Sequence, residues 1–187
     1  MGKDIQIIHV VFICDEKYVL PTAVAITSIY INKAPDSHYV IHILTSEISE
    51  NSGLILQNLS REKFEVEVLN LKYSQILDTC KIEKLHVSTA ALYKFNIANL
   101  FPQYDKILYL DGDVLVKKDL SELYDIDISH VYAAVVKDYK PMTYKPPQTV
   151  KLNIKHKFYF NSGVMLLNLK KFREDCLAEK LIEYRLN

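Results

Sequence analysis

Asp111 and Asp113, separated only by Gly112, are the residues whose type and spacing point most directly to chemistry. Hard divalent cations want oxygen ligands. Two aspartates one residue apart can meet the same ion, while the glycine lets the backbone bend and a ligand come close. A diphosphate would complete the shell. An apolar run, Ile107 to Leu110, leads into the pair and another, Val114 to Val116, follows it, so the turn is expected to be bedded in buried structure. The competing reading is a hairpin. Asp-Gly between apolar runs is a strong short-range hairpin signal, in which Gly112 would only relieve a positive φ. The flanks, however, are nearly continuous in apolar residues and do not alternate, which fits a strand buried on both faces of a parallel sheet. Ligands of such sheets bind beyond the carboxyl ends of the strands, where these carboxylates would lie.

Other polar groups fall beside predicted strand ends. Asp15, Glu16, Lys17 and Tyr18 follow the apolar run Ile5 to Cys14, Lys94 lies on a helix before the acidic turn, and Asn161 and Gly163 interrupt a late apolar run. Taken singly, each has a structural explanation: Asp15 ends a strand, Tyr18 joins the core, Lys94 snorkels along its helix, and Asn161 tolerates a bulge.

The elements that must position these groups read as alternating strands and helices. Ile5 to Cys14, Tyr39 to Leu44 and Phe64 to Leu69 read as strands, the last alternating with period two; helices are predicted from Pro21 to about Asn32 and from Ser49 to Leu59, the latter with Leu54, Ile55 and Leu59 inward. That order is the βαβ signature of a sheet with parallel members, and right-handed crossovers put the strand ends on one edge. Ser88 is a good N-cap for a helix from Thr89 to Leu100, halted by Pro102. Val131 to Val136 reads as a buried strand. Lys137 to Lys157, with six lysines, one acid (Asp138) and three prolines, reads as a loop too long for a mere connection. Phe158 to Asn168 reads as a strand, and Lys170 to Tyr184 as a helix with Phe172, Leu177, Leu181 and Tyr184 inward.

Composition narrows the function classes. The chain has 187 residues, enough for one domain with a sizeable core, and 23 basic residues balance 23 acidic ones, so no global field favours nucleic acid or an anionic membrane. Its three cysteines, Cys14, Cys80 and Cys176, have no metal-ligand spacing and form no disulfide framework, which points to a reducing cytosol. The first apolar run lacks a signal-peptide cleavage site, and no segment approaches the roughly 20 apolar residues of a membrane span. Peripheral contact with the inner membrane face stays open. The six histidines are scattered, and His9, His42 and His86 read as packing or surface residues.

The motifs FICDEKY, STAALYKF, LYLDGDVLV and YFNSGVMLLNLKKF, in that order, resemble glycosyltransferase family 8. The resemblance implies an α/β, GT-A (Rossmann-like) fold with a mixed, mostly parallel sheet flanked by helices, and transfer of a hexose from UDP-glucose or UDP-galactose to a saccharide or lipid-linked acceptor with retention of configuration. It implies that Asp111 and Asp113 bind Mn²⁺ (or Mg²⁺) and that Asp15, Lys17, Tyr18, Lys94, Gly112, Asn161 and Gly163 contact the donor. Within that set Tyr18 would stack on uracil, Lys94 would stand where the family commonly has an arginine, and Asp138 and Asn161 would lie nearest the transferred sugar. No carboxylate offers itself as a nucleophile, so same-face attack is favoured over a covalent intermediate. The family's later segments, one of Asp-Gln-Asp type and one carrying a metal-binding histidine, do not occur before Asn187. The expectation is therefore a single domain, residues 1–187, with a C-terminally incomplete fold and a third metal ligand missing. Two rivals remain: a nucleotide-sugar-binding protein without turnover, and a haloacid-dehalogenase-like phosphatase, whose active site also opens on Asp-Xaa-Asp but whose pattern Leu115 and the missing later acidic pair do not match.

Overall fold

The β-branched run near the start forms the central strand β1 (Ile7–Ile13) of the computed structural model, which describes residues 6–46, 48–71, 89–138 and 160–186. Ser88, Cys80, His86, Phe158 and nearly all of the lysine-rich loop lie outside the described residues. A single 3-10 turn (Glu16–Tyr18) leads into α1 (Val19–Asn32). Then come β2 (His38–Thr45), α2 (Glu50–Gln57), β3 (Phe64–Asn70), α3 (Thr89–Leu100) and β4 (Lys106–Leu110). The short α4 (Ser121–Tyr124), β5 (Ala133–Lys137), β6 (Phe160–Asn168), α5 (Leu169–Glu174) and α6 (Leu177–Leu186) follow.

The six strands make one sheet in the order β3-β2-β1-β4-β6-β5. β3, β2, β1 and β4 run parallel, and β6 lies antiparallel to both β4 and β5. The predicted mixed, mostly parallel α/β sheet is therefore present, and the carboxyl ends of β1 and β4 share one edge. Both faces are covered, which explains why the strands read as continuous apolar runs. One face packs Val10, Phe12, Ile41, Ile43, Leu108 and Leu110 with Ala25, Ile26 and Ile29 of α1. The other packs Val11, Ile107, Tyr109 and Leu167 with Tyr93 and Ile97 of α3 and Phe172 of α5.

The Asp111–Asp113 turn is no hairpin. β4 pairs with β1 and β6, not with the residues after the turn, and Gly112 has no positive φ. The following run is only partly buried: Val116 is buried, but Leu115 is 62% exposed.

Three other expectations are corrected by packing, while His9 and His42 take the packing role expected of them. In α2, Leu54 and Ile55 face solvent and Ser52 and Leu56 face inward, because Glu16 accepts hydrogen bonds from Ser49 N (2.8 Å) and from Ser52 Oγ (2.6 Å), which fixes the helix's rotation. β5 is an edge strand with Val135 and Val136 half exposed, not a buried one. The last helix is two, broken where Cys176 takes φ 49°, so Tyr184 points outward (70% exposed) and Ala178 and Ile182 are buried instead. His9 and His42, distant in sequence, meet side by side at 3.3 Å, with Glu67 accepting from His42 Nδ1 at 3.0 Å. Burial pushes both imidazoles down to about 4, and His42 is 1% exposed.

Candidate active site

Because β1 and β4 are neighbours and parallel, the residues just past each strand face one another across a cleft of about 700 Å³. It is lined by Asp15, Glu16, Lys17 and Tyr18 from the first strand's end, Tyr93 and Lys94 from α3, and Tyr109, Asp111, Gly112 and Asp113 from the second. Eight residues singled out in the sequence therefore share one space. The turn after β1 is held by Asp15, whose Oδ1 accepts from Tyr18 N at 3.0 Å, and it presents the Tyr18 ring 46% exposed. Glu16, by contrast, is spent on capping α2. Its carboxyl lies below the usual range, first because the Ser52 hydroxyl donates to it.

Asp111 is the most constrained group. Its backbone N donates to Gly163 O at 2.8 Å, which ties the turn to β6. Its Oδ1 accepts from Tyr109 Oη at 2.6 Å and from Lys94 Nζ at 3.1 Å. Lys94 also lies 4.4 Å above the Tyr109 ring and reaches Ser162 O at 3.4 Å, so one ammonium joins α3, β4 and β6. Burial, then the neighbouring Asp111, pushes the Tyr109 phenol far above its ordinary value and keeps it a donor. Asp113 is exposed to the cleft.

Two glycines make room. A side chain at Gly112 would collide with Thr22 Oγ1 and come within 3.6 Å of the Tyr18 ring, so the glycine is required by space and not by its φ. Thr22 is fully buried, and its hydroxyl finds no hydrogen-bond partner among the described residues. At Gly163 a Cβ would sit 2.6 Å from Asp111 Oδ2 and 2.9 Å from Asn161 Oδ1. Asn161 Oδ1 accepts from Gly163 N at 2.7 Å, so Asn161 and Gly163 adjoin the cleft through Asp111. The ladder between β5 and β6 slips here: Val135 pairs with Met165 but Val136 with Asn161. The predicted interruption of the strand is thus a bulge, with β6 still paired to β4. Asp138 follows Lys137, whose partner is Phe160, and is not among the cleft-lining residues.

The donor set suits a hard divalent cation, since both candidate ligands are carboxylates and both donors to Asp111 fall on Oδ1. Among the described residues no third histidine, cysteine or carboxylate joins the pair. The sequence reading passed over Tyr109 and Thr22 because each counted only as a strand or helix residue. Tyr109 was legible: two residues before Asp111 on an extended strand, it shares that residue's face.

The family model for glycosyl transferase family 8 matches residues 9–187. General stress protein A of Bacillus subtilis is 26% identical over 186 residues, covering 98% of this chain and 63% of the relative. A lipopolysaccharide 1,2-glucosyltransferase of Escherichia coli is 27% identical over 169 residues, covering 90% of this chain and 50% of the relative. The crystal structure of galactosyltransferase LgtC, in complex with donor and acceptor sugar analogs, superposes with a TM-score of 0.73 at 27% identity, over 89% of this chain and 60% of that one. The chain thus spans between half and two thirds of the length of these relatives.

Proposed function

This chain belongs to glycosyltransferase family 8 and has its GT-A fold, and from that premise we propose that it is the donor-binding part of a hexosyltransferase. It takes a hexose from UDP-glucose or UDP-galactose and delivers it to a saccharide or lipid-linked acceptor with retention of configuration, in bacterial cell-surface glycan synthesis at the cytoplasmic side. The observation that carries this reading is the carboxylate pair Asp111 and Asp113 opening on a cleft shared with Tyr18 and Lys94. Phosphatase chemistry is set aside by the family.

The roles follow from the groups present. The exposed ring of Tyr18 offers uracil a stacking face worth about 1–3 kcal/mol. Asp15, with one oxygen spent on Tyr18 N, offers the other to the nucleoside, and Lys17 stands beside it. Asp111 and Asp113 would hold Mn²⁺ or Mg²⁺. Such an ion, when bound, neutralises charge developing on the diphosphate leaving group. Lys94 adds a second positive charge beside Asp111, although a lysine lacks the bidentate fork of an arginine. Gly112 and Gly163 let the donor approach the backbone, and Asn161 and Asp138 lie toward the sugar. No nucleic acid is implicated. Among the described residues no helix is long and apolar enough to cross a membrane.

A nucleotide-sugar-binding protein without turnover is the second reading, favoured because among the described residues no third histidine, cysteine or carboxylate joins Asp111 and Asp113. Incubation with UDP-glucose or UDP-galactose and Mn²⁺, followed by NMR, separates the two. Release of UDP with an α-configured product supports the transferase. UDP binding without release supports the binder, and neither supports neither.

A further inference from the structure

Asp111 receives its side-chain hydrogen bonds lopsidedly. Both donors, Tyr109 Oη at 2.6 Å and Lys94 Nζ at 3.1 Å, fall on Oδ1, and among the described residues none falls on Oδ2. Oδ2 instead faces the place where Gly163 has no side chain. The carboxylate plane is therefore fixed from one side only. A carboxylate with one oxygen pinned and the other without a donor is restrained in rotation and leaves a single oxygen for a ligand.

We infer that Tyr109 is a positioning residue for the donor's cation: its phenol, with Lys94, occupies Oδ1 of Asp111 and leaves Oδ2 as the oxygen for the ion. The inference rests on the reading of Asp111 as a cation ligand. The Tyr109 hydroxyl is spent on Asp111 and acts through it. The geometry suits this purpose, because Tyr109 is 2% exposed on a central strand, paired on both sides, and so gives the hydroxyl a rigid mount. Lys94 alone is a weaker guide. It sits at the end of a flexible stem and also contacts Ser162 O, so it can follow Asp111 in a rotation that the phenol would resist. Partners that orient a metal ligand in this way typically change metal affinity by about 10–100-fold when removed.

The test is a calorimetric titration of UDP into the protein at fixed Mn²⁺, for wild type, Tyr109→Phe and Tyr39→Phe. Tyr39 is the control because its hydroxyl also donates to a carboxylate, Asp119 at 2.8 Å, away from the cleft. Tyr109→Phe is expected to weaken Mn²⁺-dependent UDP binding at least about 10-fold while its melting temperature falls no further than that of Tyr39→Phe. Tyr39→Phe is expected to lower the melting temperature and leave the affinity unchanged. Equal affinity in Tyr109→Phe and wild type overturns the positioning role alone. An affinity loss matched by Tyr39→Phe also overturns it, since that would mark a general effect of loosening the fold. Failure of the wild type to bind UDP with Mn²⁺ overturns the reading of the cleft, and the inference with it.

Discussion

Two aspartates in the same fifteen-residue stretch have opposite fates. Asp119 is closed by its own chain: Oδ2 accepts from Ala34 N and Tyr39 Oη, both at 2.8 Å, and Oδ1 from Ser121 N and Ser121 Oγ. Burial alone would raise its pKa, yet these donors hold it well below the carboxylate range. It links the end of α1, β2 and the start of α4. Asp111, at the carboxyl end of β4, keeps one oxygen without a donor among the described residues, and Asp113 lies exposed in the cleft. A carboxylate whose lone pairs are all answered by the fold holds the fold. One left partly unanswered is available to something outside it.

Exchanging one residue in each region should separate the two roles. Asp113→Asn is expected to reduce transfer on the order of 100-fold, as for loss of one preorganised charge, with no change in urea midpoint. Asp119→Ala is expected to lose on the order of 3 kcal/mol of stability, because four donors are left unanswered, while the folded fraction binds UDP normally. Transfer assays beside urea denaturation check both; similar profiles for the two variants would erase the distinction.

The space beneath the turn gives a smaller effect. Gly112→Ala is expected to cost about 1–3 kcal/mol through collision with Thr22, and Thr22→Ala in the same chain should restore part of it. Urea midpoints of the two single variants and the double variant, compared as a cycle, read the coupling. Additive penalties would mean that the two residues do not meet.

Acid should leave the contrast between the two regions unchanged. His9 and His42 have folded values of about 4 against 6.5 unfolded, so the unfolded chain binds more protons between those values. Stability is therefore greatest above pH 6.5 and falls as pH drops toward 4, by at most about 1.4 kcal/mol per pH unit for each histidine. Asp119 stays ionised throughout that window, because its contribution is lost only as pH falls below the ordinary aspartate range. Urea midpoints at pH 7 and pH 5 should therefore drop together in wild type and Asp119→Ala, with the gap between them unchanged. A gap that closes by pH 5 would show Asp119 titrating early.

The sequence disclosed what depends on local pattern. Buried strands on a parallel sheet are apolar throughout, and acids placed directly after them fall at the ligand-binding edge, so Ile7–Ile13, Lys106–Leu110 and the acids that follow them were readable. Tertiary context decided the rest. Leu54 and Ile55 look inward by composition, yet a tether from Glu16 turns them outward. Val135 and Val136 look buried, but among the described residues no strand lies beyond β5. His9 and His42 meet only because β1 and β2 pair in one particular register, which the sequence does not spell out.

The central claim is that Asp111 and Asp113 hold a cation that grips a nucleotide's diphosphate. The direct measurement is the melting temperature with UDP, with and without Mn²⁺, for wild type, Asp111→Asn and Asp113→Asn. A ligand that prefers the folded state raises it by mass action. The account predicts a rise in wild type that needs UDP and Mn²⁺ together and disappears in both variants. An equal rise with UDP after chelation of the metal, or an undiminished rise in either variant, would contradict it.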